Sequence, residues 1–406
     1  MTPTTKPADA KGAVDVKAAV DHLMRFLAVD GVSGEEKAIA AAVTDALKKA
    51  GVPASAIRFD TVDKRIPMPT QTGNLIVTLP GTRPGPRLAF STHLDTVPLC
   101  AGAKPKREGE RIVGDGTTAL GGDNRTGCAV LVSMVETILK HDLPHPPLTL
   151  LFTVREESRL MGARHLDPKD LDGAVMGFNV DSKLPAEFVT GAVGGETWDV
   201  DIKGKASHAG VAPEKGISAT LAAAMAITDA HLGGWFGKIV KPEGNGTSNV
   251  GVFGGKDGRS AGDATNVVTD YVHIKGESRS DNEKFSSAIT GAFEEAFAKA
   301  AAQVKDNTGE TAELTFEGRV DYYPFRLAED SPVVKHARRA AESIGLTPTT
   351  SFSHGGLDAN WLARHGLPAI TFGAGQHEIH TVKEFVDLAE YADGCRMAVA
   401  LATLEA

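Results

Sequence analysis

Apolar positions along this chain change their period several times, and the changes divide it into elements. From about residue 14 to 50 the period is helical. Val20, Leu23, Met24 and Leu27 recur on one face, and after the turn GVSGEE the series resumes with Ile39, Val43 and Leu47. Gly51 ends that stretch and Pro53 follows. Four apolar runs then read as buried strands: NLIVTLP (74–80), RLAFSTHLDTV (87–97), LTLLFTV (148–154) and AVMGFNVD (174–181). A Gly-rich loop, GDGTTALGGDNRTG, and a helix predicted over 128–139 separate the second run from the third. Apolar strands alternating with helices predict an α/β domain whose mainly parallel sheet is flanked by helices. In such sheets ligands collect at the carboxyl ends of the strands.

Near GAVGG (191–195) the rhythm changes. The pattern then reads strand 196–203, helix 218–230, strand 249–253, strand 266–276, helix 281–304 and strand 312–320, a β-α-β-β-α-β order typical of a small α+β domain. After Tyr323-Pro324 the first rhythm returns. Helices are predicted over 332–344 and 357–363, then the strand PAITFG (368–373) and a last helix over 389–404. The expectation is a discontinuous α/β domain, residues 1–193 and 322–406, interrupted by an inserted α+β domain, residues 194–321.

Composition narrows the function classes. The 406 residues are 42% hydrophobic and 23% charged, ordinary for a globular protein. A net charge of −9, with acids and bases interspersed, argues against a nucleic-acid partner. Cys100, Cys128 and Cys395 are far apart and form no CxxC, so neither a disulfide framework nor a thiolate zinc site is indicated. The N-terminal stretch MTPTTKPADAKGAVD is polar and lacks the apolar segment of a signal peptide. No run approaches the roughly 20 apolar residues of a membrane span. A cytoplasmic protein without a membrane partner is expected.

The candidate chemistry lies at the ends of the apolar runs: His93 and Asp95, then Asp123, the pair Glu156-Glu157, Asp181 and, far downstream, His380. Each has an ordinary explanation alone, such as a satisfied core histidine, a helix N-cap or a solvated turn. Together they supply two histidines and three carboxylates as ligands, with two carboxylates left over. A pair of adjacent divalent cations needs about that, plus a base to activate water. His93 and Asp95 are two apart on a strand and share a face, so Asp95 could fix the tautomer of His93. Asp123, held between glycines, is short enough to bridge two ions. Adjacent acids closing a buried strand need a compensating cation or proton. One of Glu156 and Glu157 could bind metal while the other takes a proton from water.

The ordered motifs STHLDTVP, GDGTTALGGDNRTG, REESRLMGARHL, NVDS and GKASHAG resemble the dizinc peptidase family that includes peptidase T (tripeptide aminopeptidase), glutamate carboxypeptidase and aminoacylase-type deacylases. The resemblance runs over nearly the whole chain, and GDGTTALGGDNRTG is most similar to the peptidase T branch. It implies that His93 and Asp181 hold one metal, Glu157 and His380 the other, and Asp123 bridges them. Asp95 would orient His93, Glu156 would be the general base, and the Asp123–Asn124 peptide would be cis. Of His377 and His380, the latter is preferred because Thr381 and Glu384 follow it in the family's His-Thr-x-x-Glu manner. The inserted domain would act as a lid and form a homodimer. It would bring His208 to the oxyanion, with Asn266 and Arg279 holding the substrate; Gly355 and Gly356 would also lie beside it.

The implied activity is metal-dependent hydrolysis of short peptides that releases the N-terminal residue. Alternatives within the same family are a carboxypeptidase or an N-acyl-amino-acid amidohydrolase. Two divalent ions are expected, zinc first, with cobalt or manganese also suited to such ligands. A non-catalytic binding protein on this fold would have lost a ligand or the base, and every position is filled. In one departure, His354-Gly355-Gly356-Leu357-Asp358 stands where peptidase T carries Arg-Gly-Gly-Thr-Asp. An anchoring arginine is missing there, so strict tripeptide selectivity is not implied.

Overall fold

The computed structural model describes residues 10–255 and 258–405. Residues 1–9, most of the polar stretch behind the signal-peptide expectation, lie outside them. Contacts divide the chain into two compact units, Met1–Ala192 with Arg326–Ala406, and Val193–Phe325.

The first unit is built on a mixed sheet. Strands Leu148–Thr153, Leu88–His93, Met176–Val180 and Ala369–Phe372 lie side by side and parallel. Every position of these four strands is buried, which is why each reads as a largely apolar run. Helices Val16–Leu27, Gly122–Lys140 and Leu388–Thr403 pack on one another, and Phe90 meets Phe178 beneath them at 5.2 Å. The parallel order brings the four carboxyl ends to one edge, so His93, Asp95, Glu156, Glu157 and Asp181 emerge together. Antiparallel strands flank this centre: Leu75–Leu79 beside Leu148–Thr153, and Glu187–Ala192 beside Ala369–Phe372.

The helical series expected over 14–50, with its turn at GVSGEE, is the two helices Val16–Leu27 and Lys37–Lys49, the first capped by Asp15 accepting from Ala18 N at 3.1 Å. A second, small sheet was not legible. Its strands Gln376–His377, Phe385–Asp387, Arg111–Val113 and Lys106–Glu108 have two or three residues each, too few for a period. It ties the segment carrying His380 to the hairpin that precedes Asp123.

The second unit is an antiparallel sheet in the order Gly237–Lys241, Gly244–Gly254, Tyr271–Ser280, Gly194–Lys203, Glu313–Tyr322. Helices Ala219–Leu232 and Glu283–Gln303 pack together against it. Trp198 is fully buried between Phe293 at 4.7 Å and Phe316 at 5.7 Å. The structure adds the edge strand Gly237–Lys241 to the expected order. Only Ile239 of that strand is buried and Lys238 and Lys241 bracket Ile239-Val240, so the local pattern resembles a charged turn. The strand read as 266–276 starts later, at Tyr271, because Val267 instead bridges to His208. Among the described residues no helix is long and apolar enough to cross a membrane.

Candidate metal centre

The loop between the strand Leu88–His93 and its following helix delivers Asp123. The Asp123–Asn124 peptide is cis. Both residues have non-helical backbone angles, so the regular helix begins after them. Capping falls to Asn124, not Asp123. Asn124 Oδ1 accepts from Gly127 N at 3.0 Å, and its Nδ2 donates to Val180 O at 2.6 Å, next to Asp181. Gly127 allows this close approach: a Cβ there would overlap Thr92 Oγ1, Asn124 Oδ1 and Val180 O.

The Asp123 carboxylate is thereby left for two histidines. Its Oδ1 lies 3.3 Å from His93 Nε2 and its Oδ2 lies 3.2 Å from His380 Nε2. On the first side Asp181 Oδ1 stands 3.6 Å from His93 Nε2, and Glu156 Oε2 stands 4.0 Å away. On the second, Glu157 Oε1 lies 2.8 Å from His380 Nε2. His93, Asp123, Glu156 and Asp181 are buried, whereas the His380 side chain is 43% exposed. The second side therefore opens to solvent. His93, Asp123 and Glu157 each offer a ligand atom within 4.8 Å of the others.

Charge balance indicates what this cluster suits. Burial, reinforced by neighbouring acids, pushes Glu157 up to about 7 and Asp181 up to about 6. Burial also raises Glu156 well above the carboxylate range. A further buried acid, Asp358, is pushed up to about 7 by burial. Its Oδ2 accepts from Thr153 Oγ1 at 2.5 Å, while its buried Oδ1 has no hydrogen-bond partner. Hydrogen bonds that His380 donates to the Asp123 and Glu157 carboxylates raise it to about 10. Two histidines do not balance this many buried carboxylates, and divalent cations would. The donor set, imidazole nitrogen with carboxylate oxygen, suits zinc, cobalt or manganese.

The Asp95 carboxylate faces mainly away from His93. His93 Nδ1 lies 3.0 Å from the Asp95 backbone oxygen and 3.4 Å from its Oδ1. Shorter contacts bind the carboxylate to the loop after Leu148–Thr153 and to the segment between the N-terminal helices: Oδ1 accepts from Glu156 N at 2.9 Å, and Oδ2 accepts from Glu157 N at 3.2 Å and from Ser33 Oγ at 2.6 Å. Burial works against its charge, but the hydrogen bonds from His93, Ser33 and Glu156 outweigh it and hold the carboxyl below its ordinary value.

His377 is occupied elsewhere. Its ring stacks on Phe385 at 4.7 Å, and its Nε2 lies 2.5 Å from Glu390 Oε2. The remaining predicted residues divide between the units. In the second, exposed His208 and Asn266 are neighbours through Ala209 N, which donates to Asn266 O at 2.8 Å. Arg279 pairs with Glu277 at 2.8 Å. In the first, Gly355 hydrogen-bonds to Ser353 Oγ at 3.1 Å, and Gly355 and Gly356 precede the helix Asp358–Arg364.

Two further residues that build the centre lie outside the predicted set. Buried Glu384 accepts from Leu120 N and Gly121 N, each at 2.8 Å, and from Asp123 N at 3.0 Å. Fully buried Arg125 donates to Leu94 O, and to Val29 O and Gly31 O at 3.3 Å each. It straps the segment after His93 to the N-terminal helices. The His-Thr-x-x-Glu spacing pointed to Glu384, but nothing local to Arg125 marks it.

Two histidines and a group of mostly buried carboxylates converging on the carboxyl edge of a parallel sheet define a metal-dependent hydrolase. The chain belongs to Peptidase family M20/M25/M40, whose sequence profile matches residues 89–404. It is 35% identical to the uncharacterized protein YqjE of Bacillus subtilis over 330 residues, 81% of this chain and 84% of that one. Its structure is similar to that of aminopeptidase PepT from Bacillus cereus, with a TM-score of 0.83, 34% identity and coverage of 97% and 99% of the two chains. A tripeptidase from Staphylococcus aureus gives a TM-score of 0.86 at 26% identity, with the same coverage.

Proposed function

We propose that this protein is an exopeptidase that releases the N-terminal residue of short peptides, using two divalent metal ions, zinc in the first instance. The observation that carries the reading is Asp123, whose two oxygens face two histidines at 3.3 and 3.2 Å. His93 and Asp181 would hold one ion, Glu157 and His380 the other, and Asp123 would bridge. When bound, such ions polarise a carbonyl and bring the pKa of water towards ~7.

The chain's own groups do the rest. Glu156 takes the proton of the attacking water on its carboxylate and returns it to the leaving amine. Asp95 and the backbone carbonyl beside it hold the tautomer of His93 and the turn that aims Glu156. His208, Asn266 and Arg279 in the inserted domain, residues 194–321, would contact the substrate with Gly355 and Gly356. That domain would serve as lid and as the contact of a homodimer. The work would be cytoplasmic.

The similarity to an aminopeptidase and a tripeptidase favours a free amine beside the scissile bond. The test is digestion of a tripeptide and of its N-acetylated form by protein stripped with chelator and reloaded with zinc, cobalt or manganese. Release of the N-terminal residue from the free peptide alone is expected. Equal turnover of both forms would sink the aminopeptidase reading in favour of a deacylase or carboxypeptidase. Sedimentation equilibrium tests the dimer.

A further inference from the structure

The turn Arg155-Glu156-Glu157 is closed locally only through its carbonyls, Arg155 O accepting from Met161 N at 3.0 Å and Glu156 O from Leu160 N at 2.8 Å; its N–H groups are held from elsewhere. Arg155 has φ 53°, a left-handed conformation that a residue with a side chain holds only with outside help. Three consecutive backbone N–H groups of this turn are each taken by a carboxylate from elsewhere in the chain. Glu36 Oε1 accepts from Arg155 N at 3.2 Å. Asp95 accepts from Glu156 N and Glu157 N at 2.9 and 3.2 Å.

Both carboxylates are in turn fixed by the segment Ser33–Glu36. Ser33 Oγ donates to Asp95 Oδ2 at 2.6 Å. Glu36 is fully buried at the start of helix Lys37–Lys49, yet its carboxylate does not cap that helix. It accepts instead from Gly34 N at 2.7 Å and Thr70 Oγ1 at 2.8 Å. Gly34 has φ 92°, and a Cβ there would overlap the Arg155 guanidinium, so the segment is shaped to lie against the turn.

We propose that Glu36 and Ser33 are positioning residues for the Glu156–Glu157 pair: they hold the backbone N–H groups of the turn, directly and through Asp95, so that one carboxylate meets the water and the other the metal. Neither residue lies in the motifs that carry the family resemblance, and neither is hydrogen-bonded to a side chain assigned as ligand or base. The inference rests on the reading of Glu156 as proton carrier and Glu157 as ligand. A base must lie within hydrogen-bond reach of its proton, and a displacement of a fraction of an ångström at the turn removes it from that reach.

The test uses Glu36→Gln, Glu36→Ala and Ser33→Ala in the full chain, with kcat and KM per folded molecule and divalent-ion affinity by chelator competition. Glutamine keeps Oε1 for Gly34 N and Arg155 N, and its Nε2 can donate to the Thr70 hydroxyl. Glu36→Gln should therefore stay within about threefold of the parent in kcat, whereas Glu36→Ala should lose roughly 30-fold with KM little changed. Metal affinity of Glu36→Ala should fall about 10-fold or more, as for other groups that orient ligands. Parental kcat and metal affinity in folded Glu36→Ala overturn the proposal, as does equal loss in the glutamine variant. Should Glu36→Ala not fold, Ser33→Ala decides, with a kcat loss of roughly 3- to 10-fold expected for one hydrogen bond. An unchanged kcat and metal affinity in that variant overturn the proposal. If the parent hydrolyses no peptide, the activity reading fails, and metal affinity alone still decides the positioning role.

Discussion

Glu384 Oε1 accepts the backbone N–H of Asp123 at 3.0 Å, so the chain segment that supplies His380 to one oxygen of the Asp123 side chain also grips its main chain. Two further N–H groups, of Leu120 and Gly121, end on the same buried carboxylate. Removing it leaves three buried donors without an acceptor. Glu384→Ala is expected to destabilise the protein by about 3 kcal/mol or more and to loosen metal binding. Denaturant unfolding of the metal-free and metal-loaded variant checks both. A variant as stable as the parent would show that water serves these donors equally well.

His380 and His377 stand three residues apart with different partners. His380 faces Asp123 and Glu157, and His377 is stacked on Phe385 and bonded to Glu390. His380→Ala should retain one metal equivalent fewer than the parent, whereas His377→Ala should retain the full complement. Elemental analysis of the dialysed variants measures this, and the reverse result would exchange their roles.

Without metal, the cluster should make the protein less stable as pH rises. Glu157, Asp181 and Asp358 are held above their ordinary values, at about 7, 6 and 7. The folded state thus binds more protons than the unfolded chain from about pH 4 to 7, and stability falls across that window. His380, raised to about 10, contributes stability that is full below about pH 6.5 and lost as pH rises through 10. Both effects have the same sign. Melting temperature in chelator should fall from pH 5 to pH 9, and added zinc should reverse most of the fall at neutral pH. A flat profile in chelator would contradict the charge imbalance drawn from the cluster.

Two glycines of the inserted unit should respond in opposite directions. A Cβ at Gly276 would overlap the ring of buried Trp198, so Gly276→Ala is expected to cost about 1–3 kcal/mol by overpacking. Gly291 lies exposed in helix Glu283–Gln303, with nothing near an added Cβ. Gly291→Ala should stabilise by roughly 0.5–1 kcal/mol through helix propensity. Urea unfolding curves of the two variants compare directly with the parent.

Much of the fold was legible because its signals are local. A strand buried on both faces must be largely apolar, so LTLLFTV and FNVD declared themselves, and the change of rhythm near residue 191 marked the inserted unit. The edge strand Gly237–Lys241 and the small sheet through Arg111–Val113 and Phe385–Asp387 were not legible. Short, half-exposed strands bury too little to impose a period.

The same division holds at the metal centre. The sequence alone determined which side chains could bind metal and that His93, Glu157 and Asp181 fall at strand ends, because residue type and burial period are written along the chain. Only the tertiary structure decided which oxygen of Asp123 meets which histidine, that the Asp95 carboxylate holds the Glu156–Glu157 turn, and that Glu36, Ser33, Arg125 and Glu384 support the arrangement. The reason is distance along the chain. Glu36 and Arg155 are 119 residues apart, and Glu384 and Asp123 are 261 apart. A hydrogen bond that closes such a loop depends on how the sheet orders its strands, and no local pattern of residues records that order.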